Sequence, residues 1–562
     1  MKSLNKVLLR TCKRAAFGLG SLTLISQAVM PLSLACAQQS HFEARIIDVP
    51  AIDSGIDFVH TDGSSGKRYI VETVLGSLAL FDYDGDGLVD IYFVNGAPLK
   101  GSTFERPPRN RLYKNNGDWS FTDVTAASGL GDEQYGMGVV VGDVDQDGDA
   151  DLFLSNFGTN AFYVNQGDGT FVECAEPCGL QSASRFGAGN SFFDMDNDGD
   201  LDLYCASYVE FDYTQHKTRT IAGREFHTGP NDYRPAAHYL YRNDGDGRFT
   251  DVSKPSGIAA LRGPGMGVLS ADFDEDGDMD LFVANDQKPN FLLLNDGTGR
   301  FTDDALLAGV AVDRLGRSNG NMGVDYADFN GDGLLDLVTT TYQEEMPVLY
   351  EAVAPGLFSD STNIARIDPS LNAHVKWGVG GVDFDNDADR DLFIACGHFL
   401  DNIRFIDDRT DVKVTNYLLA NDGQGRFTNV TKAAGSALAV VESTRGVGFD
   451  DLDNDGDVDF VALNVNARPS LGKTEPSHAD RSVTVDLVGT QSNRDGVGAK
   501  IIAVSDSGHR QTQVATSGRG YESYYGKRIY FGTGGQRLIR FEVTWPNGHK
   551  ESFDATASAM TL

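Results

Sequence analysis

The chain has 562 residues, of which 41% are hydrophobic and 23% are charged, as expected for a folded protein. Its formal charge of −34, from 47 basic and 81 acidic residues, excludes nucleic acid as a partner and favours cations. The 64 glycines indicate many short strands joined by tight turns, so we expect an all-β fold with little helix.

Residues 1–37 have the order of a cleaved secretory signal. Basic residues from Lys2 to Arg14 precede a mainly apolar run, which ends at Ala35-Cys36-Ala37. Gly, Ser, Gln and Pro interrupt this run and it is short for a bilayer span, which favours a signal over a membrane anchor. A partial lipobox before Cys36 leaves lipid attachment open. The sequence therefore predicts a secreted, periplasmic or cell-surface protein without a membrane span.

The segment that follows, FEARIIDVPAIDSGI from Phe42, resembles FTDVTAASGL at Phe121, which reads as a strand and its exit. The seventh repeat described below lacks a strand of this kind. We therefore expect the N-terminal segment to supply the outer strand of the last repeat, which would cover an otherwise exposed sheet edge.

Seven nine-residue acidic loops follow, with starts 51 to 78 residues apart. They are DYDGDGLVD at Asp82, DVDQDGDAD at Asp143, DMDNDGDLD at Asp194, DFDEDGDMD at Asp272, DFNGDGLLD at Asp328, DFDNDADRD at Asp383 and DLDNDGDVD at Asp451. Each loop joins two apolar runs, and segments such as LYRNDGDGRFTDV add a hairpin. Four strands per repeat predict a seven-bladed β-propeller over residues 42–480.

The loops place oxygen ligands at positions 1, 3, 5 and 9, with a backbone carbonyl at position 7. Ca²⁺ takes six to eight such oxygens. The absence of a glutamate at position 12 excludes an EF-hand, and Mg²⁺ and transition metals are disfavoured by the ligand set. We expect about seven calcium ions. The candidate ligands are Asp82, Asp84, Asp86, Leu88 and Asp90; Asp143, Asp145, Asp147, Asp149 and Asp151; Asp194, Asp196, Asp198, Asp200 and Asp202; Asp272, Asp274, Asp276, Asp278 and Asp280; Asp328, Asn330, Asp332, Leu334 and Asp336; Asp383, Asp385, Asp387, Asp389 and Asp391; and Asp451, Asp453, Asp455, Asp457 and Asp459.

Two loops depart from the pattern and are expected to bind more weakly. Asn330 replaces aspartate at position 3 of the fifth loop, which lowers its charge. Ala388 replaces glycine at position 6 of the sixth, where a left-handed backbone costs about 1 kcal/mol more.

Export makes disulfides possible, and Cys174 and Cys178 are the plausible pair. Cys205 and Cys396 fall on predicted strands of different repeats, so we expect buried free thiols there. No CxxC or zinc spacing is present in the sequence.

Basic residues recur just before the strands that lead into the third to seventh loops, on the face opposite the loops. Insertions at 208–237 and 399–415 are expected to overhang that face. The candidate ligand residues are Arg185, Arg262, Arg317, Lys376, Arg445 and His398. They suit an anionic ligand such as an acidic glycan, or are solvated charges that pair with Glu72, Glu133 and Glu442.

After about residue 480 a different β sequence begins, so residues 481–562 are expected to form a second, small β domain. The loops and their NDGxGxF partners resemble the VCBS/FG-GAP repeats of integrin-α-type propellers. SNRDGVGAKI from Ser492, GRGYESYYGKRIYFGTGG and VTWPNG resemble the ASPIC/UnbV domain, and the whole arrangement is similar to the cartilage acidic protein 1 family. The resemblance implies a secreted calcium-binding propeller. The stretch at 227–235 lacks the cysteine of the CGPxxYxP segment that relatives often carry.

The sequence favours a binding module over an enzyme. Its one GxSxG motif, at residues 316–320, precedes a strand and not a helix, so the context of a catalytic serine is missing. We expect a calcium-stabilised adhesion or ligand-binding module with an unknown glycan or protein partner. The alternative is an enzyme that acts on a polysaccharide or small molecule at the axial mouth of the propeller.

Overall fold

The structure is a computed structural model that describes residues 42–180, 185–475 and 482–555, and the backbone of 559–561. The described residues belong to one compact unit. The signal predicted for residues 1–37 lies outside them. Strands dominate, with two single-turn helices, α1 (Thr125–Ser128) and α2 (Ala305–Ala308). Short 3-10 turns cover Ile70–Thr73, Pro230–Asp232, Ile258–Ala260, Pro369–Ala373, Ile403–Phe405 and Ala437–Ala439. The predicted all-β fold is confirmed.

Seven four-stranded antiparallel sheets make up most of the described chain, and two residue pairs, Phe157 with Phe186 and Gly158 with Arg185, join the second and third into one eight-stranded sheet. Strand β1 (Arg45–Pro50) precedes the first sheet. That sheet contains β2 (Leu78–Phe81), β3 (Asp90–Phe93), β4 (Arg111–Asn115) and β5 (Phe121–Asp123), and the second contains β6 (Gly136–Gly142), β7 (Asp151–Gly158), β8 (Ala161–Asn165) and β9 (Phe171–Glu173). In the third, β10 (Arg185–Phe193) and β11 (Asp202–Ser207) are followed by an insertion with β12 (Val209–Glu210), β13 (Arg219–Ile221), β14 (Arg224–Phe226) and β15 (Arg234–Pro235), and then by β16 (Tyr239–Asn243) and β17 (Phe249–Asp251).

The remaining four sheets repeat this order. The fourth contains β18 (Gly265–Ala271), β19 (Asp280–Asn285), β20 (Phe291–Asn295) and β21 (Phe301–Asp303), and the fifth β22 (Asn321–Ala327), β23 (Asp336–Thr341), β24 (Val348–Ala354) and β25 (Leu357–Asp360). The sixth contains β26 (Lys376–Val382), β27 (Asp391–Cys396), β29 (Tyr417–Asn421) and β30 (Phe427–Asn429), with β28 (Val414–Thr415) in its insertion paired to β31 (Val441–Glu442). The seventh contains β32 (Thr444–Asp450), β33 (Asp459–Asn464), β34 (Ser470–Glu475) and, from the N-terminus, β1.

The first strands of the sheets form a closed ring. In order β2, β6, β10, β18, β22, β26 and β32, each contacts the next, and β32 contacts β2. Nearly all their residues are buried on both faces, which is why the sequence runs leading into the loops are apolar and rich in small residues. This ring of sheets is a β-propeller.

The ring closes through the N-terminal segment. Strand β1 pairs antiparallel with β34, from Arg45 opposite Glu475 to Pro50 opposite Ser470. Ile46 of β1 is fully buried in the core of the seventh sheet, and its N–H donates to the carbonyl oxygen of Ala434. The predicted closure is confirmed.

Asparagines at the start of the NDG turns connect neighbouring sheets by hydrogen bonds. Asn165 donates from Nδ2 to the carbonyl oxygens of Ala150 in its own loop and Tyr83 in the preceding loop, at 3.3 and 3.0 Å. Asn115 of the first sheet reaches Leu452 of the seventh at 2.7 Å, so the same contact also spans the closure. Equivalent bonds come from Asn243, Asn295 and Asn421. The sequence pattern indicated only a hairpin turn at these positions.

The C-terminal region forms two further sheets. One contains β35 (Ser482–Asp486), β38 (Ile529–Gly532) and β41 (Ala559–Thr561), and the other contains β36 (Lys500–Ser505), β37 (Arg510–Val514), β39 (Leu538–Thr544) and β40 (Lys550–Asp554). They enclose their own core around Val485, Ile501, Phe531 and Phe541. Since the described residues form one compact unit, a boundary at residue 480 stays a prediction.

Residues 516–525, here called the axial segment, run from these sheets along the inside of the ring. Its backbone and side chains exchange hydrogen bonds with the first strands of six of the seven sheets. The contacts pair Tyr524 with Leu78 and Leu80, Glu522 with Val139, Ser517 with Phe192, Thr516 with Ser270, Gly520 with Val324 and Tyr525 with Val379. The propeller axis is therefore filled by C-terminal residues.

Candidate metal loops and axial cavity

The aspartate at position 1 shapes each acidic loop. In the first loop Asp82 accepts backbone N–H groups from Gly85 and Asp86 on Oδ1, at 2.9 and 3.2 Å, and from Gly87 on Oδ2, at 2.8 Å. The same bonds to positions 5 and 6 recur in the seventh loop at Asp451. The turn therefore directs the carboxylate of position 1 into the loop.

The aspartate at position 9 has a structural role that the ligand pattern did not indicate. Asp90 is fully buried, and its two oxygens accept the backbone N–H groups of Tyr83 and Asn115 at 3.0 and 2.7 Å. Equivalent pairs of bonds are made by Asp151, Asp202, Asp280, Asp336, Asp391 and Asp459. Position 9 thus ties each loop to the third strand of its sheet.

The loops bring carboxylate oxygens close together. In at least five loops, three aspartates each offer one oxygen, and the three oxygens lie within 4.8 Å of one another. These sets are Asp82, Asp84 and Asp90; Asp143, Asp145 and Asp147; Asp194, Asp196 and Asp202; Asp272, Asp274 and Asp276; and Asp383, Asp385 and Asp387. Burial, together with the neighbouring loop aspartates, raises the pKa of Asp90 and Asp280 to about 8. The donors are all oxygen, which fits a hard divalent cation.

Two positions of every loop have a left-handed backbone. At position 6 the glycines share this conformation with Ala388, whose φ is 81°. The strain predicted for the sixth loop is therefore present. Position 4 is also left-handed in all seven loops, and five of its residues are Gly or Asn. That preference is visible in the sequence, but the predicted loop pattern assigned no role to position 4.

Two loops contain a lysine among their carboxylates. The Lys114 ammonium contacts Asp84 and lies 2.9 Å from Asp86 in the first loop. Lys473 contacts Asp453 and lies 3.6 Å from Asp455 in the seventh. Both lysines come from the third strand of their own sheet, so the loop sequence alone does not reveal them.

The C-terminal sheets cover the face of the propeller that carries the loops. Arg494 lies 3.4 Å from Asp143, and Asp495 accepts the Asp143 N–H at 2.8 Å. Lys500 binds Glu275 at 2.7 Å, and Arg528 binds Asn454 at 2.7 Å. On this face the C-terminal region therefore contacts the second, fourth and seventh loops.

The six predicted ligand residues of the opposite face do not assemble into one open basic mouth. Lys376 is buried, donates to the carbonyl oxygens of Tyr342 and Glu345 at 2.7 and 2.6 Å, and has a pKa that burial lowers to about 7. Arg445 is also buried, 4.0 Å above the Trp377 ring. Burial lowers the pKa of His398 to about 3.

The other three lie nearer the surface and have partners. Arg185 stacks 2.9 Å from the centre of the Tyr239 ring. Arg262 pairs with Glu210, and Arg317 with Asp313, both at 2.7 Å. The glutamates expected as partners instead pair with other residues: Glu72 with His227, Glu133 with Arg109 and Glu442 with Lys413.

A cavity of about 220 Å³, here called the axial cavity, lies on the face opposite the acidic loops. It opens where the second strands end and the first strands begin, and both long insertions line it, as expected from the sequence. Its wall includes Tyr208, His227, Asp286, Tyr342, Trp377 and Phe399. The Trp377 ring meets Tyr521 of the axial segment edge-on at 5.2 Å, so the axial segment supports this wall.

Comparison with known proteins agrees with this architecture. A family model described as FG-GAP-like repeat matches residues 82–154, 143–205, 233–283 and 272–339, and one described as ASPIC and UnbV matches residues 489–562. The chain carries FG-GAP repeats and an ASPIC/UnbV domain. The predicted resemblance is confirmed.

The chain is also similar in sequence to cartilage acidic protein 1. The human protein is 28% identical over 275 residues, which are 47% of this chain and 37% of the human one. The Xenopus tropicalis protein is 26% identical over 274 residues, 47% of this chain and 38% of that one. The matches thus span well under half the length of these relatives. Among solved structures, PorZ, a surface component of the type-IX secretion system of Porphyromonas gingivalis, is 11% identical with a TM-score of 0.40, over 86% of this chain and 59% of PorZ.

The cysteines of the propeller agree with the prediction. Cys174 and Cys178 form a disulfide, and Cys205 and Cys396 are free and buried. Within the described residues no helix is long and apolar enough to cross a membrane.

Proposed function

We propose that this protein is an exported, calcium-binding propeller that acts as an adhesion or ligand-binding module. The observation that carries the proposal is the convergence of aspartate oxygens within single loops. Positions 1, 3 and 5 and the carbonyl of position 7 would hold the ion, with position 9 completing the set. A bound Ca²⁺ would supply the positive charge that these crowded carboxylates otherwise lack.

Metal content and melting test the calcium proposal. Each occupied site adds roughly 2.7 kcal/mol at a hundredfold calcium excess, so chelation should lower the melting temperature substantially. Elemental analysis should find about seven calcium ions per chain and no zinc requirement, in line with the seven loops. Fewer than about three ions, or melting that chelation leaves unchanged, would contradict structural calcium at these loops.

A pair of variants separates metal binding from loop structure. Asp274→Asn removes a charge at position 3 of the fourth loop, where no cation among the described residues pairs with it, and should reduce stability only when calcium is present. Asp280→Asn replaces an oxygen that accepts a backbone N–H with an amide, and should cost about 1–3 kcal/mol with or without calcium. Equal effects of both variants in chelated protein would mean that position 3 is also a purely structural residue.

We no longer favour an acidic glycan, the ligand class expected from the sequence. Lys376 and Arg445 are buried and make hydrogen bonds to backbone carbonyls, while Arg262 and Arg317 are neutralised by neighbouring carboxylates. These four positive charges therefore already have partners within the protein, and they give no reason to prefer an anionic ligand. A glycan array probed with and without calcium tests the acidic-glycan alternative.

One observation favours the alternative of an enzyme at the axial mouth. The His227 side chain, 7% exposed, faces Glu72 with 3.1 Å between Nε2 and Oε2. Nδ1 of His227 and Oε1 of Glu72 have no hydrogen-bond partner among the described residues. A carboxylate at Nε2 holds the proton there and leaves Nδ1 as a base. Polysaccharide turnover that is lost in His227→Gln would establish catalysis, and its absence in the parent protein would remove this candidate.

A further inference from the structure

The axial cavity contains a buried carboxylate without a counter-ion. Asp286 is 4% exposed, and its Oδ2 accepts the Tyr208 hydroxyl at 2.7 Å. Its Oδ1 has no hydrogen-bond partner among the described residues and lies against Gly320. A buried carboxylate without a counter-ion is costly, and burial raises the pKa of Asp286 to about 7; a cation in the cavity would stabilise the charged form.

Neighbouring charges increase the need for a cation. The Glu345 carboxylate accepts the N–H of Gly320 at 2.8 Å, next to Asp286, and adds to the negative potential. The nearby ammonium of Lys376 donates to two backbone carbonyls and not to Asp286. Arg219, at the cavity wall, is held by Asp232 at 2.7 Å. The described residues therefore leave the Asp286 charge unpaired.

Aromatic rings form the rest of the wall. Tyr342 and Phe399 have ring centres 6.0 Å apart, and Phe399 and Trp377 have ring centres 6.3 Å apart. The Tyr208 ring, beside Asp286, completes the lining. Aromatic faces attract cations, and the attraction strengthens where water is excluded. The cavity volume of about 220 Å³ is below the roughly 300–1,000 Å³ of drug-sized sites, so only a small ligand fits.

We infer that the axial cavity binds a small organic cation, an ammonium group that pairs with Asp286 and packs against Tyr342 and Phe399. A neutral sugar would satisfy the unpartnered oxygen with a hydroxyl but would leave the carboxylate charge uncompensated. An anion would meet Asp286 and Glu345 and be repelled. The inference rests on the proposed function, because it names the ligand site and the ligand class of the proposed binding module.

A matched pair of probes tests the charge requirement. Choline and 3,3-dimethylbutan-1-ol have the same shape, but only choline is charged. Titration of each into the full-length, calcium-loaded protein should detect binding of choline and at least about tenfold weaker binding of the alcohol. Equal binding of the two probes, or no binding of choline at millimolar concentration, would overturn the inference. Preferential binding of glucose would overturn it in favour of a sugar.

Matched variants locate the site. Asp286→Asn keeps the shape and removes the charge, and should weaken choline binding at least about tenfold. Asp408→Asn makes the same charge change at an exposed position of the second insertion and should leave affinity within about twofold. If Asp286→Asn does not fold, Tyr342→Leu, which removes one ring, should weaken binding instead. The assignment would be overturned if the folded variant, Asp286→Asn or else Tyr342→Leu, bound choline with unchanged affinity. The calcium proposal is tested by chelation and would stand or fall independently.

Discussion

Individual side chains alter which loops are expected to bind calcium tightly. Asn330 and Ala388 marked the fifth and sixth loops as weak from sequence alone. In the folded chain Lys114 and Lys473 contact carboxylates of the first and seventh loops, so a cation must displace an ammonium group there. Glu351 lies near Asn330, with 3.4 Å between its Oε1 and the amide nitrogen, and restores negative charge to the fifth loop.

Replacing Lys473 tests the effect of the ammonium group. Lys473→Met should tighten cation binding at the seventh loop by about three- to tenfold, because a positive charge is removed from the site. Trp119 donates to Asp453 of that loop at 2.6 Å, so terbium luminescence that depends on Trp119 reports this loop. Trp119→Phe defines the background, and the exposed Lys432→Met is the charge control. Unchanged terbium affinity would show that Lys473 leaves the loop without cost.

Buried neutral histidines give the protein a second, metal-independent sensitivity to acid. His238 is fully buried, with Nδ1 2.6 Å from the Tyr204 hydroxyl and Nε2 2.9 Å from the Gly263 carbonyl oxygen. Burial lowers its pKa to about 4. Below pH 6.5 the unfolded chain takes up a proton that the folded chain does not, so stability is lost between about pH 6.5 and 4.

The pH profile of His238→Gln checks this sign. The variant should melt lower than the parent at pH 7, because a buried ring is lost, but its melting temperature should fall less steeply between pH 6.5 and 4. The exposed His549→Gln should follow the parent throughout. Parallel curves for the parent and His238→Gln would show that His238 does not couple folding to pH.

At the scale of secondary-structure elements, the seventh sheet depends on strand β1 from the other end of the chain. Six residue pairs join β1 to β34, and Ile46 fills the core between them. Sequence similarity between the segments at Phe42 and Phe121 was sufficient to predict this, because both end a four-stranded sheet in the same way.

Truncating Ile46 measures the contribution of that strand. Ile46→Ala should destabilise the protein by about 2–5 kcal/mol, as expected for a fully buried isoleucine. Ile52→Ala removes the same atoms from a side chain that is 52% exposed, and should change stability by at most about 0.5 kcal/mol. Deleting residues 42–56 should be more damaging than either. Equal denaturation midpoints for the two alanine variants would mean that β1 is not needed to close the ring.

At the scale of the whole molecule, the C-terminal region and the propeller act as one body. Arg519 of the axial segment makes a double ion pair with buried Asp325, at 3.0 Å for each bond, and lies against Tyr326 and Tyr525. Together with the contacts over the acidic loops, this segment links the loop face to the wall of the axial cavity.

Breaking the central ion pair tests that linkage. Arg519→Met leaves Asp325 buried and unpaired, and should destabilise the protein by about 3–5 kcal/mol. Arg537→Met removes an exposed ion pair of the same region and should cost at most about 1 kcal/mol. Differential scanning calorimetry should show a single transition in the parent. Separate transitions for the propeller and the C-terminal sheets, with Arg519→Met unchanged, would mean that the two fold independently.

The sequence by itself determined the features that are local and repeated. Seven acidic loops, strand periodicity and hairpin turns were enough for the propeller, the disulfide and the aspartates that converge, because each depends on residues a few positions apart. The closure joins opposite ends of the chain, and it was predictable only because the segment at Phe42 repeats a local pattern found at Phe121. Contacts between distant residues required the tertiary structure: the lysines in two loops, the burial of Lys376 and Arg445, the axial segment, and Asp286 beside its aromatic rings. Desolvation and the partners of a charge depend on what the fold places around it, which local sequence patterns do not record.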